Sequence, residues 1–108
     1  MAETPVPLYR RGKANSPLMD NVRDRDINIF KYNDEKWVEA DSGGISTFAS
    51  LKPGKNWWRV DAGISIPDGI SLINDHDDHW LWQPKYNMRL SEYQELLRQV
   101  SIYFVKLN

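Results

Sequence analysis

Residues 43–48 (GGISTF) combine two glycines with two adjacent hydroxyl side chains. Glycine lets the backbone approach a ligand closely because it has no Cβ. The hydroxyls of Ser46 and Thr47 both donate and accept hydrogen bonds. No histidine is near them in sequence and no nucleophile-elbow motif is present, so the segment favours ligand binding over nucleophilic attack. The alternative interpretation is a loop in which Ser46 caps a turn.

The run from Asp75 to His79 (DHDDH) carries residue types that bind divalent metals. The alternative is a polar hairpin tip, which we favour because no helix places His76 and His79 on one face, and we expect no metal here. His79 also begins an aromatic strand (HWLWQ). Gln83 lies four residues further along, so both side chains are on the same face of that strand and are candidates for a cleft.

Arg10 ends the first predicted strand, Leu8-Tyr9-Arg10. A guanidinium at this place can bind a pyrophosphate or a ribose with two parallel hydrogen bonds. The alternative is a strand-end arginine in a surface ion pair. The pair Trp57-Trp58 on another strand points one ring to the core and the other to the opposite side, where it could stack on a ligand ring.

The length and the composition of the chain are typical of one small globular domain. The chain has 108 residues, of which 41% are hydrophobic, and a net charge of −1, so no broad basic face is available for a nucleic-acid backbone. It has no cysteine, which excludes disulfides and thiolate zinc sites. The N-terminus has no signal-peptide pattern, and no apolar run is long enough to cross a membrane. We expect an extended segment over residues 1–7 and a single domain over 8–108.

The predicted elements are mostly strands followed by one helix. The patterns predict a hairpin over residues 27–40, a strand end or helical turn at 46–51, a strand at 57–60, a short extended piece at 64–66 and a second hairpin over 70–82 with a polar tip. Ser91 and Gln94 form a capping box for an amphipathic helix over 91–106, although β-branched residues at its end also fit a strand. The fold class is therefore α+β with a small mixed, mostly antiparallel sheet.

Several segments, taken in order, resemble the small type VI secretion effector toxins with an ADP-ribosyltransferase-like domain. They cover about residues 8–98 and are the segments LYRRG (8–12), SPLMDNVR (16–23), GGISTF (43–48), IPDG (66–69) and the stretch from His79 to Met88. The resemblance implies a split antiparallel sheet of the ADP-ribosyltransferase type.

The resemblance also implies a site for NAD as co-substrate, with no metal. Arg10 would hold NAD, and Ser46 and Thr47 would shape the nicotinamide cleft, which Gly44 and Phe48 would complete. Better-known ADP-ribosyltransferases use a glutamate on a late strand as the third residue. In this sequence Glu92 and Glu95 lie in the predicted helix, so His79 or Gln83 is assigned in its place. The catalytic residues that the resemblance implies are therefore Ser46, Thr47, His79 and Gln83.

The implied function is an antibacterial toxin that transfers ADP-ribose to an intracellular target. The alternatives are an NAD glycohydrolase, a non-enzymatic binding toxin, and a metal-dependent hydrolase that uses the run from Asp75 to His79. A toxin of this kind implies a cognate immunity protein and a target macromolecule as partners, with no membrane partner and with nucleic acid disfavoured. We expect synthesis in the cytoplasm and delivery into a target cell by a leaderless secretion system.

Overall fold

The computed structural model describes residues 2–107. Within them the chain forms nine strands and one helix. These are β1 (Leu8–Arg11), β2 (Ile29–Tyr32), β3 (Glu35–Val38), β4 (Ile45–Phe48), β5 (Trp57–Val60), β6 (Ile70–His76), β7 (His79–Pro84), β8 (Met88–Arg89), α1 (Leu90–Ser101) and β9 (Val105–Lys106). The predicted α+β class is confirmed, as is the split of an antiparallel sheet into two parts.

The larger sheet has six strands in the order β6-β7-β4-β1-β5-β9, and the smaller has the order β2-β3-β8. Every strand pairing described is antiparallel. β4 lies between β7 and β1 in the larger sheet. The segment GGISTF therefore enters the sheet at a central position, where its side chains meet those of two neighbouring strands.

One face of the larger sheet is packed into the core. Leu8, Ile45, Val60 and Trp82 on this face are at most 1% exposed. They join Val38 and Met88 of the smaller sheet, Tyr93, Leu97 and Val100 of α1, and further buried side chains in one hydrophobic cluster. Alternate residues of the same strands point to the opposite face, which we call the outer face.

The outer face carries a row of side chains that the strand register places side by side. His79 pairs with Phe48, Phe48 pairs with Tyr9, and Tyr9 pairs with Arg59. Ser46 pairs with Leu81 one step further along the same face. Ser46, Phe48, His79 and Gln83 are all half-buried, so these side chains are partly accessible to solvent.

The C-terminal helix is shorter than predicted. It ends at Ser101, and Val105–Lys106 forms β9, which pairs with β5. The strand alternative for the end of the helix is therefore correct, because the β-branched Val105 extends the sheet edge. The predicted cap at Ser91 is wrong: the N-cap residue is Arg89, which makes no side-chain cap hydrogen bond.

Both predicted hairpins are confirmed, with a different tip in the second. The first turns at Asn33-Asp34, which have φ values of 51° and 61°, as a two-residue hairpin turn requires. In the second, β6 extends to His76 and β7 begins at His79. Most of the predicted polar tip therefore belongs to strands.

The segment before β1 is packed on the domain. Thr4 is 2% exposed, and its hydroxyl donates a 2.7 Å hydrogen bond to the Asp61 carbonyl. Its backbone N–H donates to the Ile64 carbonyl at 2.9 Å. The predicted extended piece at 64–66 forms no strand, only an isolated bridge from Ser65 to Glu3.

Candidate active site

Ser46 and Thr47 are neighbours in β4 and point to opposite faces of the sheet. Thr47 is fully buried in the core. Its hydroxyl donates to the Trp80 carbonyl and accepts from the Trp82 indole N–H, both at 3.0 Å. Ser46 lies on the outer face instead. Of the predicted Ser-Thr pair, only Ser46 presents its hydroxyl to the partly accessible surface.

The two glycines before Ser46 have packing partners of their own. A Cβ on Gly44 would lie 2.2 Å from the Trp82 carbonyl oxygen. A Cβ on Gly43 would lie 2.1 Å from the Asp26 carbonyl oxygen, and Gly43 also has a φ of +140°. The Gly44 N–H donates to that same Asp26 carbonyl at 2.9 Å. Glycine is therefore required here for close backbone packing at the start of β4, and its role toward a ligand stays a prediction.

A hydrogen-bonded chain links Ser46, His79 and Asp75. The Ser46 Oγ lies 2.9 Å from His79 Nε2, and His79 Nδ1 lies 2.5 Å from Asp75 Oδ1. A neutral imidazole that donates its Nδ1–H to the Asp75 carboxylate keeps a lone pair on Nε2, which accepts the Ser46 hydroxyl proton. β4 and β7 supply two members and β6 the third. The arrangement can orient and polarise the Ser46 hydroxyl.

The carboxylate of Asp75 is held in its ionised form. Partial burial by itself raises the pKa of Asp75, but the hydrogen bond from His79 and the adjacent imidazoles of His79 and His76 outweigh it, so the net pKa lies below its ordinary value. An ionised acceptor fixes the His79 ring and its tautomer.

Phe48 and a lysine border this chain. The Phe48 ring centroid lies 5.5 Å from that of His79, and the Lys52 Nζ lies 5.1 Å from the Phe48 centroid. Lys52 also forms a 2.8 Å ion pair with Asp78, whose pKa is lowered chiefly by the Lys52 hydrogen bond. Gln83 is on the same face, opposite Ser71 of β6. Phe48, His79 and Gln83 thus share the face of Ser46, and of these positions the strand pattern predicts the shared face of His79 and Gln83.

Arg10 lies on the inner side and is occupied by backbone. Its Nε and both terminal nitrogens donate to the carbonyls of Pro17, Ser46 and Leu18 at 2.8–2.9 Å. Burial lowers its pKa from the ordinary value of a guanidinium to about 10. Arg10 therefore links two segments of the chain through their backbone carbonyls, the loop with Pro17 and Leu18 and the strand with Ser46. Its predicted contact with NAD would have to be made in addition to these bonds.

Sequence reasoning overlooked Asp75 and Lys52 as members of this region. The sequence indicates Asp75 only as part of a polar tip or as a metal ligand, because nothing in the sequence shows that it reaches His79. Lys52 follows β4 in a loop, and no local pattern marks it. A strand that begins with a histidine, directly after a polar run that contains carboxylates, is the one signal that could have indicated the pairing of Asp75 with His79.

The resemblance to ADP-ribosyltransferase-like toxins implies a split antiparallel sheet, which the structure has. It also assigns Ser46 and His79 to the site, and these two side chains meet on adjacent strands. A family model described as Tse2 ADP-ribosyltransferase toxin matches residues 19–106. The chain belongs to this family, and the resemblance stated from the sequence is confirmed. Arg10 lies before the matched range. No curated protein matches the chain, and no solved structure does. Over residues 2–107, no helix is long and apolar enough to cross a membrane.

Proposed function

We propose that this toxin transfers ADP-ribose from NAD to a macromolecule of the target cell, at the outer face around Ser46 and His79. The observation that carries the proposal is the hydrogen-bonded chain from Ser46 through His79 to Asp75. The family membership supplies the reaction class. In that class the bond between nicotinamide and ribose breaks, its electron pair leaves with nicotinamide, and the ribose carbon bonds to a nucleophile of the target.

The residues of the site fit such a reaction without a strong protein nucleophile. Ser46 is suited to orient a ribose hydroxyl or the nicotinamide carboxamide. His79, fixed by Asp75, is placed to hold the Ser46 hydroxyl and to accept a proton as the nucleophile attacks. The negative charge of Asp75 favours the positive charge that develops on the ribose in the transition state. Phe48 offers an aromatic surface, and Gln83 an amide, on the same face.

The biological setting is part of the same proposal. We infer that the protein is made in the cytoplasm of the attacking cell and delivered by a type VI secretion system. A cognate immunity protein would protect the producer, and covering the outer face would be sufficient for that. The support for this setting is the description of the family as a toxin, since a cell that makes a toxin needs protection from its own product.

The decisive experiment measures nicotinamide release from NAD by the purified protein and ADP-ribose labelling of a lysate. His79→Ala is expected to lower both by about 100-fold or more, the usual scale for loss of a group that acts in proton transfer. Ser46→Ala is expected to lower both by about 100-fold, the scale for loss of one hydrogen-bonding group that acts on the transition state. Ser71→Ala, a hydroxyl on the neighbouring edge strand, is the matched control and should keep wild-type rates.

The alternatives give different outcomes in this assay. Nicotinamide release with no labelled macromolecule would identify an NAD glycohydrolase and overturn the transferase. Growth inhibition with neither signal would identify a non-enzymatic toxin. Wild-type rates in both site variants, with circular dichroism showing an intact fold, would remove Ser46 and His79 from the site.

A further inference from the structure

A β-bulge at the end of β6 brings a third side chain to the histidine pair. Asn74 pairs with Trp80, and His76 pairs with His79. Asp75 lies between them in β6 and is an extra residue, because β7 has no residue between Trp80 and His79 to pair with it. In a bulge of this kind, two residues of one strand oppose one residue of the other. Asp75 and His76 therefore both contact His79. The Asn74 side-chain amide reinforces the turn by donating to the carbonyls of Asp77 and His79 at 3.0 and 2.8 Å.

The three side chains converge on one point. Both Nδ1 atoms face the same carboxylate oxygen, with Asp75 Oδ1 lying 2.5 Å from His79 Nδ1 and 3.3 Å from His76 Nδ1. The two rings stack with centroids 4.8 Å apart. One ligand atom from each residue lies within 4.8 Å of the others. Tetrahedral zinc, with bonds of about 2.0–2.2 Å, separates its donors by about 3.3–3.6 Å, so shifts of about 1 Å at an exposed hairpin end are sufficient.

The charges near this point favour a cation. Asp75 and Asp77 add negative charge, and Lys52 is directed to Asp78 instead, in a 2.8 Å ion pair. Two imidazoles and one carboxylate are a donor set that suits zinc and similar transition ions better than calcium or magnesium. Three protein ligands also leave a fourth position open for water.

We propose that Asp75, His76 and His79 form a binding site for one divalent transition-metal ion, with zinc as the best match, and that this ion inhibits the toxin. The inhibitory half rests on the proposed function, and the binding half does not. The ion is a regulatory ligand here and not a cofactor, because two of its three ligands, Asp75 and His79, are residues that the candidate active site uses.

The inhibition follows from the two nitrogens of His79. Without metal, Nδ1–H is donated to Asp75 and Nε2 accepts from Ser46 Oγ. With metal on Nδ1, the proton of a neutral ring must be on Nε2, which then donates to Ser46 Oγ across the same 2.9 Å contact. The imidazole changes from acceptor to donor toward Ser46, and Asp75 turns from the ring to the ion. The site loses its proton acceptor while the fold is unchanged.

The test is calorimetric titration of the full-length, chelator-treated protein with zinc chloride. We expect one ion per chain, and His76→Ala should weaken binding by at least about tenfold. Asp77→Asn changes the charge of the same hairpin without removing a ligand, so it is the matched control and should keep most of the affinity. Nitrogen-15 spectra of the His79 ring should show the proton moving from Nδ1 to Nε2 as zinc is added.

The second arm measures nicotinamide release with and without zinc. Zinc should inhibit the wild type, whereas His76→Ala should keep the basal rate and resist inhibition. Failure of zinc to bind the wild type, or equal binding by His76→Ala, overturns the metal site. Binding without inhibition overturns the regulatory half. A wild type that binds zinc but never releases nicotinamide contradicts the proposed function and leaves the metal site supported.

Discussion

Arg10 shows how a charged side chain can serve the backbone around a site. Its guanidinium joins the Pro17 and Leu18 carbonyls of the loop after β1 to the Ser46 carbonyl of β4. Hydrogen bonds to a charged donor stabilise more than neutral ones do, and a carbonyl that loses its partner in a buried place carries a cost. The position of the Ser46 backbone therefore depends on Arg10.

We predict that Arg10→Ala destabilises the fold by roughly 2–4 kcal/mol, because three carbonyls lose one shared charged donor. Urea unfolding measures the change. Arg11→Ala is the matched control: Arg11 is exposed and its Nε donates a 3.2 Å bond to the Lys55 carbonyl, so its loss should have a much smaller effect. If Arg10→Ala unfolds at the wild-type urea concentration yet no longer binds NAD, Arg10 acts on the ligand directly and the bracing role is wrong.

For single residues, the sequence predicts only which side chains share a face of one strand, through the alternation of residues along it. The alternation in β4 and β7 places Ser46, His79 and Gln83 on a shared face once the two strands are known to pair. That Thr47 turns into the core follows from the same rule, yet the Ser-Thr pattern of the family resemblance had assigned both hydroxyls to the site. Register between strands 33 residues apart, as for the Ser46–His79 contact, is decided by the packing of the whole sheet.

At the scale of elements, the hairpins were predictable and their ends were not. A two-residue turn such as Asn33-Asp34 has a local signature, whereas the bulge at Asp75 arises from pairing across β6 and β7. The C-terminal helix ends early because Phe104 is drawn into the core and Val105 pairs with β5. The helical periodicity of the sequence continues through residue 106, but it carries no information about the pairing of Val105 with a distant strand.

Tyr93 joins the helix to the sheet, and it gives this junction a pH dependence. Its hydroxyl donates a 2.6 Å bond to the Trp82 carbonyl, and burial raises its pKa above the ordinary value of 10.0. The unfolded state therefore releases this proton first as pH rises, so the contribution of Tyr93 to stability is full below about pH 10 and is lost above it.

We predict that Tyr93→Phe lowers the free energy of unfolding by about 1 kcal/mol near neutral pH, through loss of the hydrogen bond. The deficit relative to wild type should shrink steadily above about pH 10. Urea unfolding from about pH 8 to 11 measures both effects. Arg10 titrates in the same range but in both proteins, so its effect cancels in the difference between their free energies of unfolding. Tyr103→Phe, at an exposed position, should follow the wild-type curve. A deficit that is constant with pH would show that Tyr93 is not buried in its neutral form.

At the scale of the whole molecule, both sheets depend on one core. The cluster includes Val38 and Met88 from the smaller sheet, Ile45 and Trp82 from the larger sheet, and Leu97 from the helix. The composition predicted a single domain but not this shared core, because alternation assigns residues to a face without saying which other sheet that face meets. A shared core makes separate unfolding of either sheet costly.

Leu97→Ala tests that coupling, because Leu97 is fully buried in the helix face that contributes to the shared core. We predict a loss of roughly 2–5 kcal/mol in the free energy of unfolding, from the transfer and cavity terms of a large-to-small change. Leu51→Ala, at a position that is 56% exposed, is the control and should change little. Native-state hydrogen exchange should show the most protected amides of β3 and β4 losing protection by equal amounts, since opening either sheet exposes the same cluster. If β3 alone lost protection while β4 kept it, the two sheets would be independent units, and the smaller one could open to admit a partner while the candidate active site stays folded.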